Sequence, residues 1–251
     1  ELFFLIKEAK KYASLTKGVF DITIASLVDL WQGYGKLQKI PPQALIEETL
    51  KKVNYEDILL DEKRCMVKLQ RNGQKIDLGG IAKGYAANHV IKYYQYKGVR
   101  SAMVNLGGNV ALLGKRVDEK PWQIGIQNPV KGRGQYLATV SVSNTSVVTS
   151  GDYERFFIEN NRLYHHILNP ITGYPASSGL RSVTIIHPDA LQADVLATTL
   201  FILGLEKGIK LLQHFSDIEV IIITDNREIY LSGSLVGKFQ ITEKGFSLFQ
   251  I

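Results

Sequence analysis

One cysteine in 251 residues, Cys65, excludes an internal disulfide and any metal site built on several cysteines. Proline is sparse, at seven residues, and no Pro-, Gly- or Ser-rich tract, internal repeat or low-complexity run divides the chain. No stretch reaches the roughly 18 uninterrupted apolar residues a membrane helix needs. The opening ELFFLIKEAKKYASL has the spacing of an amphipathic helix and not the layout of a secretion signal. Excess charge of one sign is small, a net +6, in scattered pairs at Lys10 and Lys11, Lys51 and Lys52, and Lys63 and Arg64. No aromatics interleave with those pairs as a nucleic-acid surface requires, so nucleic acid is not an expected partner. The charge reads as a solvated face that favours anionic ligands or an anionic envelope.

What is present is ordinary globular composition, 45% hydrophobic and 22% charged, enough for a sizeable core. Apolar spacing and end signals predict helices over 1–15, 23–31, 42–52, 81–97 and 189–214, the last broken at Gly204. Alternation and β-branched runs predict strands over 57–60, 65–70, 101–105, 109–113, 122–126, 136–143, 155–159, 162–167, 181–186, 218–223 and 228–231. Consecutive strands read as hairpins, with turns at 159–162 (ENNR) and 224–227 (TDNR). The expected class is α+β, a single domain over 1–251 with mixed, mostly antiparallel sheets and flanking helices.

Four stations carry chemistry. Residues 164–179 (YHHILNPITGYPASSG) join a histidine pair to Asn-Pro and Thr-Gly turns, so the histidines stand where a strand gives way to a loop. Residues 75–94 (KIDLGGIAKGYAANHVIKYY) place two glycines between a short strand ending at Asp77 and a helix starting near Ile81. Such a turn either serves close strand-helix packing or aims free N–H groups and the helix dipole at an anion. Neither a Walker loop nor a dinucleotide GxGxxG spacing is matched. Lys83, a cation in the first helical turn, is mildly unfavourable there unless an anion compensates.

Residues 190–204 (ALQADVLATTLFILG) embed one carboxylate in an apolar helix, with Asp194 and Thr198 four apart on one face. No Lys or Arg lies within a turn, so Asp194 either caps another element or joins the hydroxyl in holding a hard cation such as Mg²⁺. Residues 17–35 (KGVFDITIASLVDLWQGYG) offer Phe20 for stacking on a flat ring and Asp21 as an acceptor for ribose or base. The plainer reading has Asp21 capping the following helix.

In this order the motifs VFD, DLGGIAKGYA, NLGGN (105–109), TSGDYERFF (149–157), HHILNPITGYP and ADVLATTLFILG closely resemble the FAD:protein FMN transferases, the ApbE family. The likeness spans about residues 10–240. It implies an α+β fold, FAD as substrate and Mg²⁺ as cofactor. It also implies transfer of FMN through a phosphoester to a Thr or Ser in the flavinylation motif of a target flavoprotein, releasing AMP. By motif position, Val19, Phe20, Asp21, Asp77, Lys83 and Ile167 would contact FAD. A backbone oxygen of Gly80, Asp194 and the Thr198 hydroxyl would hold Mg²⁺, and His166 would be the catalytic base. A side chain titrating near about 6.5 suits that duty.

Asn169 stands where the family usually shows Asp before the proline, which keeps the turn and removes a charge. Family members usually carry several tens of residues ahead of VFD, including strands that touch FAD. The resemblance therefore implies a missing N-terminal segment that would hold any export signal and lipid anchor, placing the full protein outside the cytoplasm at the membrane. Two other activities fit the same residues: an FAD pyrophosphatase yielding FMN and AMP, and a flavin-binding protein without turnover.

Overall fold

Hydrophobic spacing decides the first helix. In the computed structural model, which describes residues 1–251, α1 (Leu2–Leu15) buries Leu5, Ile6, Ala9, Tyr12 and Ala13, one face of a helical repeat. The chain divides into two compact units, Glu1–Ile81 with Asp152–Ser177, and Ala82–Gly151 with Ser178–Ile251. No helix is long and apolar enough to cross a membrane.

The first unit adds α2 (Ala25–Lys36) and α3 (Gln43–Leu50), a hairpin of β1 (Ile58–Asp61) and β2 (Met66–Leu69), and a second hairpin from residues 156–165. Trp31 of α2 is the hub of its small core. Its ring stacks on Tyr164 with centroids 5.8 Å apart, meets Tyr174 edge-on at 5.8 Å, and donates from Nε1 to the Gly173 carbonyl at 2.8 Å. Gly173 has φ +76°, and a Cβ there would sit 2.8 Å from Ile46, so packing and backbone both demand glycine.

The second unit begins with α4 (Ala82–Tyr96), followed by β3 (Ala102–Leu106), β4 (Asn109–Leu113), β5 (Trp122–Gln127), β6 (Tyr136–Val142) and β7 (Ser146–Gly151). The hairpin inserted in the first unit is β8 (Phe156–Glu159) and β9 (Arg162–His165). The second unit resumes with β10 (Leu180–His187), α5 (Ala190–Leu203), α6 (Leu205–Leu212), β11 (Glu219–Thr224), β12 (Glu228–Leu231), β13 (Phe239–Ile241) and β14 (Ser247–Gln250). Seven strands form one sheet in the order β14-β12-β11-β10-β7-β4-β3, antiparallel throughout except for β12 beside β14.

Val110, Leu112, Val147, Ile186, Ile221 and Ile223 of that sheet pack against Ile124, Ile126, Leu137 and Val140 of a three-stranded sheet, β13-β6-β5. Ala111 of β4 packs with Ala87 of α4 and Ala190 of α5. α5 is buried nearly all round, as its unbroken apolar run requires.

The helices and the antiparallel α+β character follow the sequence reading, and Gly204 separates α5 from α6 with φ +80°. The ENNR turn is a two-residue hairpin with Asn160 and Asn161 at φ +50° and +60°. Three strands were not expected. β7 reads as a polar, turn-like run (SVVTSG) yet lies inside the large sheet, while β13 and β14, at three and four residues, are too short to show a period. The short strand ending at Asp77 is instead one isolated parallel bridge, Lys75 with Ile24. Just past the end of α4, Lys97 lies over the Tyr93 and Tyr96 rings at 5.6 and 5.4 Å.

α4 and α5 touch backbone to backbone at Gly84. A Cβ there would lie 2.2 Å from the Ala190 carbonyl oxygen and 2.7 Å from Leu191 Cα, atoms that no rotamer change moves away. Gly84→Ala is expected to cost about 1–3 kcal/mol, the range for forced overpacking. Denaturant melts of the two proteins check this, and equal midpoints would mean the helices separate freely.

Candidate active site

In the second unit the site grows from the start of α4. Asp194, in the second turn of α5, is 3% exposed, so its carboxylate must find partners. Oδ2 accepts the backbone N–H of Gly84 at 3.0 Å, and Oδ1 lies 3.6 Å from Nζ of Lys83. A negative charge at a helix N-terminus is favoured by the dipole, and here it also balances the misplaced Lys83 cation. No Lys or Arg lies within a turn of Asp194 in its own helix, and the cation that pairs with it, Lys83, comes from α4. The carboxylate caps the start of α4 through the Gly84 amide, with its other oxygen toward Lys83.

Asn88 fixes the crossing. Its Nδ2 donates to Asp189 at 2.6 Å while its Oδ1 accepts from the Ala190 N–H at 2.9 Å. Asp189 in turn caps α5 through the Leu191 and Gln192 amides. One turn beyond Asp194, Thr198 Oγ1 lies 3.1 Å from Oγ of Ser150 on β7. Sequence reasoning missed Ser150 because it missed the strand that carries it.

In the first unit, residues 19–23 and 75–79 lie together. The Asp77 N–H donates to the Ile22 carbonyl at 2.7 Å, and Asp77 Oδ1 accepts from the Gly79 N–H at 2.6 Å, which shapes the glycine turn that carries Gly80. Val19 and Phe20 pack inward, 7% and 5% exposed. Asp21 does not cap α2, whose N-terminus has no side-chain cap. Its Oδ1 accepts from the Thr23 amide and hydroxyl at 2.8 and 2.7 Å, and its Oδ2 from the Tyr55 N–H at 2.8 Å. Burial pushes the Asp21 carboxyl above its ordinary 3.8; the Thr23 and Tyr55 hydrogen bonds oppose the shift and the charge of Asp57 adds to it.

The histidine pair is divided. His165 is buried, its Nδ1 accepting the Ile167 N–H at 3.2 Å, so Nε2 carries the proton and donates to the Ala176 carbonyl at 2.9 Å. His166 is exposed, just past the end of β9, and its amide donates to the Arg155 carbonyl at 3.0 Å. Ile167 beside it is buried. Asn169 keeps the turn: Oδ1 accepts from the Ile171 N–H at 2.8 Å, a bond that Asp would make equally well.

No three His, Cys, Asp or Glu side chains gather as a metal cluster. A cation at Asp194 would therefore have one carboxylate, with hydroxyl, carbonyl and water oxygens completing its shell. That hard-oxygen set fits Mg²⁺, which keeps several waters and takes few carboxylates.

These features define a class: an α+β protein in which a buried acid of one helix caps the start of another and pairs with its lysine. The chain belongs to the ApbE family, whose family model matches residues 1–222. An FAD:protein FMN transferase of Klebsiella pneumoniae is 38% identical over 247 residues, covering 98% of this chain and 76% of the relative. One of Treponema pallidum is 34% identical over 262 residues, covering 98% and 72%. The solved ApbE protein of Thermotoga maritima has a TM-score of 0.85 at 37% identity, covering 94% of this chain and 77% of that one. The flavin transferase ApbE of Vibrio cholerae has a TM-score of 0.81 at 29% identity, covering 94% and 75%.

Asp21 yields a pH test. A carboxyl whose value rises on folding stabilises the folded state fully below 3.8, and that contribution is lost as pH climbs through the raised value. Asp21→Asn should flatten this decline, and should also cost about 1–3 kcal/mol because a carboxamide cannot accept from all three donors. Melting temperatures of both proteins across acidic to neutral pH check both parts.

Proposed function

We infer that this chain transfers FMN from FAD to a target protein. The observation that carries the reading is the start of α4, where the Gly84 amide and the Lys83 ammonium converge on buried Asp194. Lys83 stays 42% exposed, so its charge can also meet a phosphate at this helix start, and the relatives of known name are FAD:protein FMN transferases.

In the reaction, the hydroxyl oxygen of a Thr or Ser in the target's flavinylation motif attacks the phosphorus on the FMN side of the pyrophosphate. The new P–O bond forms as the bond to the AMP phosphate breaks, and AMP leaves. His166 takes the hydroxyl proton, a task suited to an exposed imidazole at neutral pH. Lys83 faces the phosphate charge, Asp77 shapes the glycine turn, and Val19, Phe20, Asp21 and Ile167 line the flavin nucleotide. Asp194, the Thr198 hydroxyl and the Gly80 carbonyl would hold Mg²⁺. Bound there, the ion supplies charge neutralisation to the phosphate oxygens. His165, with both ring nitrogens engaged, keeps the loop in place and is no candidate for the base. The same reading places the full protein at the outer face of a membrane, held by a lipid anchor.

Mixing the chain with FAD, Mg²⁺ and a domain carrying a flavinylation motif should add the mass of one FMN phosphoryl group to that domain. Free FMN and AMP without an adduct would make the protein a pyrophosphatase. His166→Ala should bind FAD as before and lose transfer by about 10²–10⁴-fold, the scale of general-base catalysis, and full transfer by that variant removes His166 from the mechanism. Asp194→Asn should abolish Mg²⁺-dependent turnover, and turnover with an unchanged Mg²⁺ requirement would overturn its assignment as a ligand.

A further inference from the structure

α5 contains two adjacent threonines whose hydroxyls behave differently. Thr199 Oγ1 donates to the Val195 carbonyl at 2.8 Å, the back-bond to the preceding turn that a helical threonine ordinarily makes. Thr198 makes no such bond, and its hydroxyl meets Ser150 Oγ at 3.1 Å. Ser150 is held in register on β7, where it pairs with Val183 of β10. It is half-buried, as Thr198 is. The strand thus presents a fixed oxygen to one side of a hydroxyl that stands one helical turn from Asp194.

A hydroxyl has one proton and two lone pairs. To serve a cation it must turn a lone pair toward the metal and send its proton elsewhere. A helical carbonyl would accept that proton but would draw Oγ1 back along the helix, as it does for Thr199. We propose that Ser150 is a positioning residue for Thr198: its Oγ accepts the Thr198 proton and leaves the lone pairs of Thr198 aimed at a divalent cation shared with Asp194. This rests on the reading of Asp194 and Thr198 as Mg²⁺ ligands. It gives a role to the TSGDYERFF segment, whose Ser150 otherwise has none in the reaction. Partners behind a metal ligand typically change affinity by 10- to 100-fold when removed.

The test uses the full chain with Mn²⁺ as probe, free ion counted by EPR and Mg²⁺ as competitor. Ser150→Ala should weaken binding about tenfold. Ser150→Thr, which restores the acceptor oxygen, should bind like the parent. Thr198→Val should weaken binding as well, and the double variant should bind no more weakly than Thr198→Val alone, because Ser150 acts only through that hydroxyl. In turnover, excess Mg²⁺ should restore the Ser150→Ala variant, since orientation and not the ligand has been lost. Parent-like binding by Ser150→Ala overturns the proposal, as does a double variant in which the two losses add. A parent protein with no Mg²⁺-competed Mn²⁺ site overturns the metal reading itself.

Discussion

A carboxylate inside an apolar helix must be answered, and the answer given to Asp194 organises the second unit. With 3% exposure it has little access to water, so the Gly84 amide and the Lys83 ammonium stand in for solvent. Reaching that amide requires α4 and α5 to touch along their backbones, which only glycine at position 84 permits. Asn88 and Asp189 then lock the same crossing from the next turn. The constraint that stabilises the helix pair is also the one that gathers charge and hydrogen-bond donors at a helix start, so packing and chemistry have a common cause.

Asp21 performs a comparable task in the first unit. Three donors from Thr23 and Tyr55 hold its two oxygens, and the segment carrying Val19 and Phe20 is fixed against the turn at 54–57. Its influence on a bound nucleotide would therefore come largely through the backbone it holds in place. The histidine pair shows how one local motif separates structure from reactivity. His165 turns inward and spends both nitrogens on the loop, while neighbouring His166 lies exposed.

Much of this was legible because it is local. The apolar run of α5 with its single acid, the glycine turn before α4, the Asn-Pro turn at Asn169 and the ENNR hairpin are each written within a few residues and governed by steric rules of short range. β7 was not legible. Its Ser, Thr and Gly residues have turn-like propensity, and only neighbours on both sides make it a strand, with Thr149 satisfied by Thr184 and Ser150 by Thr198.

The sequence by itself determined the class, the helices and most strands, the order of the motifs and hence the family, because periodicity and motif order need no knowledge of distant contacts. Only the tertiary structure decided which groups meet. Lys83 and Gly84 reach Asp194 across more than a hundred residues, Tyr55 reaches Asp21, and Ser150 reaches Thr198. Such pairings are set by how helices and strands pack, and no local spacing in the chain encodes them.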